Sequence, residues 1–316
     1  MKLFCGGAYE LMRINSPISL ASSLGFLLVT VCSGHPTSLF AQAEPTCQNL
    51  LCLLANGAAD QPSGQVPGAA PLISAEERQA YGAIQNKCNA SMDPDKVVSL
   101  SRNFEKKYRR STFLTYVYAF EATAHQRKGE LDKTVDSAEK SIKMNPDNMM
   151  TLIILSSMLP QPQSLHGSDL DKQRKLKEAK TDANHALELV DKLTRHTDET
   201  DDAFKTRKNT IASELHAALG MIHLQRAAAG VNGMDQDELD KAAQEYRASV
   251  DLHPTDEFCY RLGEVYEHEN KIGDALESFS KASELGQGTG IQKYADNEIA
   301  MLKQRQAQAP RLPLTR

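Results

Sequence analysis

From residue 74 onward, apolar side chains recur at spacings of three and four between short polar breaks, the pattern of helices that each bury one face. Ser74 followed three residues later by Glu77 has the form of a capping box, so a first helix is expected from there to about Cys88. Asp93 and Pro94 open a second, whose buried face reads Val97, Val98, Leu100, Phe104 and Tyr108. The pattern continues to about residue 285. A last helix, from about 290 to 304, aligns Ile291, Tyr294, Ile299 and Leu302 so as to cover the helices before it. Residues 56–74 break the pattern: they are rich in Gly, Ala, Pro, Gln and Ser, bury too little apolar surface to offset the entropy of ordering, and are expected to form a flexible tether.

The helical segments repeat. Leu262, Gly263 and Tyr266 are followed by Ala275, Phe279 and Ala282; Leu219 and Gly220 are followed by Ala242, Tyr246 and Pro254, with Ser249 where the second Ala would stand. A copy beginning at Phe113 keeps Tyr118, Gly129 and Pro146 but has Ala122 for Gly, His125 for Tyr, Thr134 for Ala and Ala138 for the aromatic. A middle copy is visible mainly as a second helix carrying Ala179, Ala183, Ala186, Leu187 and Leu189. A Gly or Ala at a crossing lets two helix backbones approach closely, and an aromatic from the facing helix fills the space beside it.

This arrangement resembles the tetratricopeptide repeat, most specifically in its two C-terminal copies. The resemblance implies an all-α, right-handed superhelical solenoid of antiparallel helix pairs. About five pairs, some degenerate, would occupy residues 74–286, and a capping helix with a loose tail would occupy 287–316. It implies a scaffold that takes up a protein or peptide segment in a concave groove lined by the first helix of each pair. By helical phase that face is Glu257, Tyr260, Glu264, Glu267 and His268 in the last copy and Glu214, Ala217, Met221, Leu224 and Gln225 in the one before. Members that grip a C-terminal carboxylate use Lys and Asn in the groove. Ala119, Thr123, Ala217, Met221, Tyr260 and Glu264 stand there instead, which argues against a carboxylate clamp. Two insertions, at residues 159–177 and 226–239, both fall between paired helices and should emerge on one edge, either as a binding rim or as tolerated surface growth.

Composition narrows the function. The 36 basic and 41 acidic residues nearly balance, without the basic character that a nucleic-acid binder needs, and the chain has no Trp but many strong helix formers. Catalytic signatures are missing. His268-Glu269 begins like a zinc-protease motif, but Ile272 stands where the second His belongs. His216 and His223 share a helix two turns, ~10.5 Å, apart, too far to bind one zinc. No catalytic residue, cofactor or metal site is expected. A hydrolase with a site assembled from residues that match no motif remains a rival reading.

Ahead of the tether, Arg13, the apolar residues 18–31 and the Ala41-Gln42-Ala43 site read as an export signal over 1–43, starting at Met1 or Met12 and cleaved before Glu44. Lipidation at Cys32 and an uncleaved anchor are the alternatives; a lipid would place the chain on a membrane as an accessory subunit of envelope assembly or secretion. The expected location is the periplasm or envelope, or outside the cell after secretion, with residues 44–73 as the linker. No later apolar run reaches the ~20 residues that cross a bilayer; 149–159 falls short. Cys47 and Cys52 could close a small disulfide loop or remain thiols, while Cys88 and Cys259 fall too far apart in a repeat stack to pair.

Overall fold

Polar side-chain caps mark where most of the described helices begin. The computed structural model describes residues 73–90, 93–197, 199–230 and 233–308, so the signal, the linker, Cys47, Cys52 and the last residues lie outside the described part. The Ser74 hydroxyl accepts from Glu77 N at 3.1 Å at the head of α1 (Ala75–Ala90), and Asp93 accepts from Lys96 N at 3.1 Å at the head of α2 (Pro94–Lys107). Next come α3 (Leu114–Arg127) and α4 (Leu131–Met144). Asn148, Ser168, Thr200, Asp235 and Thr255 cap α5 (Met149–Met158), α6 (Asp169–Asp191), α7 (Asp201–Ala228), α8 (Gln236–Leu252) and α9 (Asp256–His268). The series closes with α10 (Ile272–Leu285) and α11 (Gly290–Gln308).

The order of packing makes the stack a solenoid. Each helix packs on its neighbours in sequence, and α1, α3, α5 and α7 also pack each on the next, as α9 does on α11. No even helix reaches the next even helix to a comparable extent. Odd helices therefore sit closer together and form the inner layer, with even helices outside. Between α7 and α9 the inner layer has no such packing, and α8 carries that junction. The core divides at the same place. Ile211, Leu215, Leu219 and Ile222 of α7 belong to the core of α1–α6, while its Ala217, Met221 and Ala227 belong to that of α8–α11.

At the two specific crossings the aromatic fills the site of a missing Cβ. A Cβ on Gly220 would fall 2.7 Å from the Tyr246 ring, and one on Gly263 would fall 2.7 Å from the Phe279 ring. Both rings are fully buried. Leu219, Leu262, Tyr266, Ala275 and Ala282 are buried around them. In the copy formed by α3 and α4, small residues stand at both positions, Ala122 and Ala138, each fully buried.

The substitution of Ala by Ser at residue 249 has a partner. Ser213 Oγ donates to Ser249 O at 2.9 Å; at the matching place in α3 and α4, Thr115 Oγ1 donates to Ser141 O and Ser141 Oγ returns a bond to Thr115 O at 2.7 Å. Where Ala282 keeps the usual residue, Asp256 stands at the matching place and no such pair forms. The tight turns match too: Gly129 and Asn270 hold φ of 69° and 58° at equivalent places, and Asn tolerates that left-handed region better than other side chains.

Two elements differ from the sequence expectation. The middle copy does have a first helix, α5, but it is buried on almost every side, so it carries no amphipathic period to reveal it. Helix α7 starts three turns ahead of the repeat. There Arg207, buried, donates to both oxygens of Glu199 and to Thr194 O, and the bond to Arg207 holds the Glu199 carboxyl down at about 2.

The crossings yield a paired prediction. Gly263→Ala should destabilise the protein by ~1 to 3 kcal/mol, because the buried Phe279 ring has nowhere to move. Gly273→Ala, where nothing lies within 4 Å, should be neutral or stabilising by up to ~0.5 kcal/mol. Chemical denaturation of both variants is the check, and equal stability would contradict the close-packing account.

Candidate functional site

The inner face of α7 and α9 is less open than its helical phase suggested. Tyr260 is 2% exposed and packs on Phe279 with ring centroids 5.3 Å apart; Met221 and Ala217 are each 8% exposed within the second core. These three are packing residues and not contacts for a partner, because their side chains are spent on the second core. Its ends remain available. Glu214, Leu224, Gln225, Glu257, Glu264 and Glu267 are half-buried and His268 is exposed.

The acids on this face are not a bare negative patch. Arg261 Nη1 donates to Glu264 Oε2 at 2.9 Å with both side chains 15% exposed, and Arg305 of α11 pairs with Glu267. Arg261 lies one turn from both Glu257 and Glu264, and its Nε has no hydrogen-bond partner among the described residues. Burial raises the pKa of Glu257 while Arg261 opposes the rise. Helical phase names the acids but not the cation among them, Arg261, which falls one residue outside the groove positions. Charge reversal at Glu264 would therefore set two cations together in a nearly dry site, and it would lower stability as well as any binding.

The histidines are joints between repeats. His125, His223 and Tyr266 occupy one repeat position, three residues past Ala122, Gly220 and Gly263. His223 Nδ1 donates to Glu238 Oε2 at 2.6 Å, and its Nε2 accepts from Lys180 Nζ at 3.2 Å. Tyr266 accepts from Arg247 at 2.8 Å, and His125 lies 3.8 Å from Glu121, which in turn meets Arg102 at 3.6 Å. In each case the cation comes from the outer helix of the preceding repeat. His216 pairs with Glu245 at 2.7 Å, so it and His223 serve separate acids. Beside His268, the Glu269 side chain is 3% exposed and pairs with Lys271 at 3.0 Å. Among the described residues no group of three His, Cys, Asp or Glu side chains converges as metal ligands would. Cys88 and Cys259 are buried in different cores.

The two enlarged connections, 159–168 and 229–235, each join an inner helix to its outer partner in the chain. The first is tightly built: Gln161 and Ser164 are buried, Ser164 Oγ donates to Met158 O at 2.6 Å, and Lys175 Nζ donates to Ser164 O at 2.5 Å. No described helix is long and apolar enough to cross a membrane.

No family model matches the chain, and no curated protein matches it. Among solved structures it is similar to TTC0263, a thermophilic TPR protein of Thermus thermophilus, at 14% identity and a TM-score of 0.48, covering 72% of this chain and 99% of that one. It is also similar to the MamA RS-1 ArsTM double mutant, at 14% identity and a TM-score of 0.39, covering 67% and 96% of the two chains.

The geometry of His223 predicts a pH dependence. Burial, opposed by the bond to Glu238 and reinforced by Lys180, holds its pKa below the usual 6.5. The folded state thus favours the neutral ring, so stability is full above pH 6.5 and declines as the unfolded chain takes up the proton below it. His223→Gln should flatten this decline relative to the wild type in melts from pH 7 to 5. Parallel pH profiles for the two proteins would count against the assignment.

Proposed function

We propose that the chain is a non-catalytic protein-binding scaffold of the bacterial cell envelope that holds a partner segment at the inner face of α7 and α9. The observation that carries the reading is the layering: repeated helix pairs place α7 and α9 in one inner layer, joined through α8, and leave Leu224 and Gln225 half-buried and His268 exposed at the ends of the face. Stacked repeats bind through extended surfaces of this kind. The half-buried ion pairs along the face favour selection by charge register over general attraction, since a paired acid contributes to specificity more than to affinity. Export is supported by the apolar residues 18–31 and the Ala41-Gln42-Ala43 site.

The test is capture from an envelope extract with the full chain, compared with a Leu224→Arg and His268→Glu double variant. A protein retained by the wild type should be lost with the variant. Because Leu224 also packs against the second core, melting curves establish that the variant is folded, and His268→Glu alone, at the exposed position, should weaken the capture as well. Full recovery by the folded variant would remove this face from the mechanism. Intact mass from the native host addresses the location: a mature chain beginning at Glu44 supports the envelope reading, whereas a lipidated Cys32 would make the protein a membrane-associated subunit.

A further inference from the structure

A second surface lies on the outer layer. Between α4 and α6 is an open cleft of about 220 Å³, floored by Leu131, Val135 and Leu159 and closed at one end by Ser164 and His166 of the enlarged connection. Its volume is below the ~300 Å³ at which small-molecule pockets begin, so it suits an anchoring side chain better than a whole ligand. The end wall is a built feature. The α3–α4 connection spans only residues 128–130, whereas 159–168 is longer and is fixed by the Ser164 and Lys175 bonds.

The charges around the cleft do not balance. Arg174 donates to both oxygens of Glu178 at 3.0 and 3.1 Å, and Lys175, held by the neutral Ser164 carbonyl, keeps its charge, so the cleft stays net negative with one cation fixed at its closed end. Glu139 is met by Lys143 at 3.2 Å. That leaves Asp132 and Asp136, one turn apart on α4, exposed and with no cation within ion-pair distance among the described residues. Asp182 lies one turn beyond Glu178 on the same face of α6. It is half-buried, and burial first, then Glu178, push its carboxyl up to about 6 against the pull of His185. At the other end of that face, one turn before Arg174, Leu170 is 77% exposed, an unusual place for a large apolar side chain.

An apolar floor with unneutralised carboxylates along its rim is complementary to an apolar side chain flanked by cations. We propose that the α4–α6 cleft docks a short segment of a partner protein in which a leucine-like side chain is flanked by lysine or arginine. The floor receives the apolar side chain, while Asp132 and Asp136 select the basic flanks and fix the direction of the segment. This surface is separate from the inner face of α7 and α9, and either can fail without the other.

The test uses the full chain and a fluorescein-labelled peptide with a central leucine between lysine pairs. Two matched peptides replace the leucine by serine or the lysines by glutamate. Fluorescence anisotropy should show saturable binding of the first peptide only. Hydrogen exchange should show protection confined to residues 131–139 and 164–178. An Asp132→Asn and Asp136→Asn double variant should bind about tenfold more weakly with unchanged melting. The proposal is overturned if the wild type does not bind the first peptide, if the serine peptide binds equally well, if the folded double variant binds as tightly as the wild type, or if protection falls on the inner face.

Discussion

The architecture depends on how closely two helix backbones approach at Gly220 and Gly263. At each, the ring of Tyr246 or Phe279 fills the space that a Cβ would take, so the aromatic fixes the separation and glycine permits it. With the paired helices held this closely, Met221 and Tyr260 are enclosed in the second core. The same constraint that builds the stack therefore decides which part of the inner face a partner could touch. Only the ends are left.

Polar joints supplement the apolar contact. Thr115 with Ser141 and Ser213 with Ser249 tie the two helices of a pair through buried hydroxyls. His223 with Lys180 and Tyr266 with Arg247 tie one pair to the outer helix before it. Buried polar groups penalise any arrangement in which they lose their partners, so these joints specify register along a stack whose apolar faces would tolerate sliding.

Much of this was legible in the sequence. The capping residues and the small-residue crossings of the two last copies each depend on local chemistry, and the helices start and cross where those residues stand. Helix α5 was hidden because a helix buried almost all round shows no polar face, and the early start of α7 depends on Arg207 finding Glu199, a contact that no period encodes. Helical phase gives the candidate face but not its depth. Helical phase places Tyr260 and Glu264 on one side of α9, but it says nothing of Phe279 lying against the first or Arg261 pairing with the second. One signal was available: serine at 141 and 249 goes with a hydroxyl residue at 115 and 213, whereas Ala282 goes with Asp256.

The central claim, that ring and glycine are complementary at the crossing, is tested most directly by a double-mutant cycle of Gly263→Ala with Phe279→Leu. The smaller, flexible leucine should make room for the new methyl group. The account predicts that the double variant is more stable than the sum of the two single changes by about 1 kcal/mol or more. Strict additivity would contradict it.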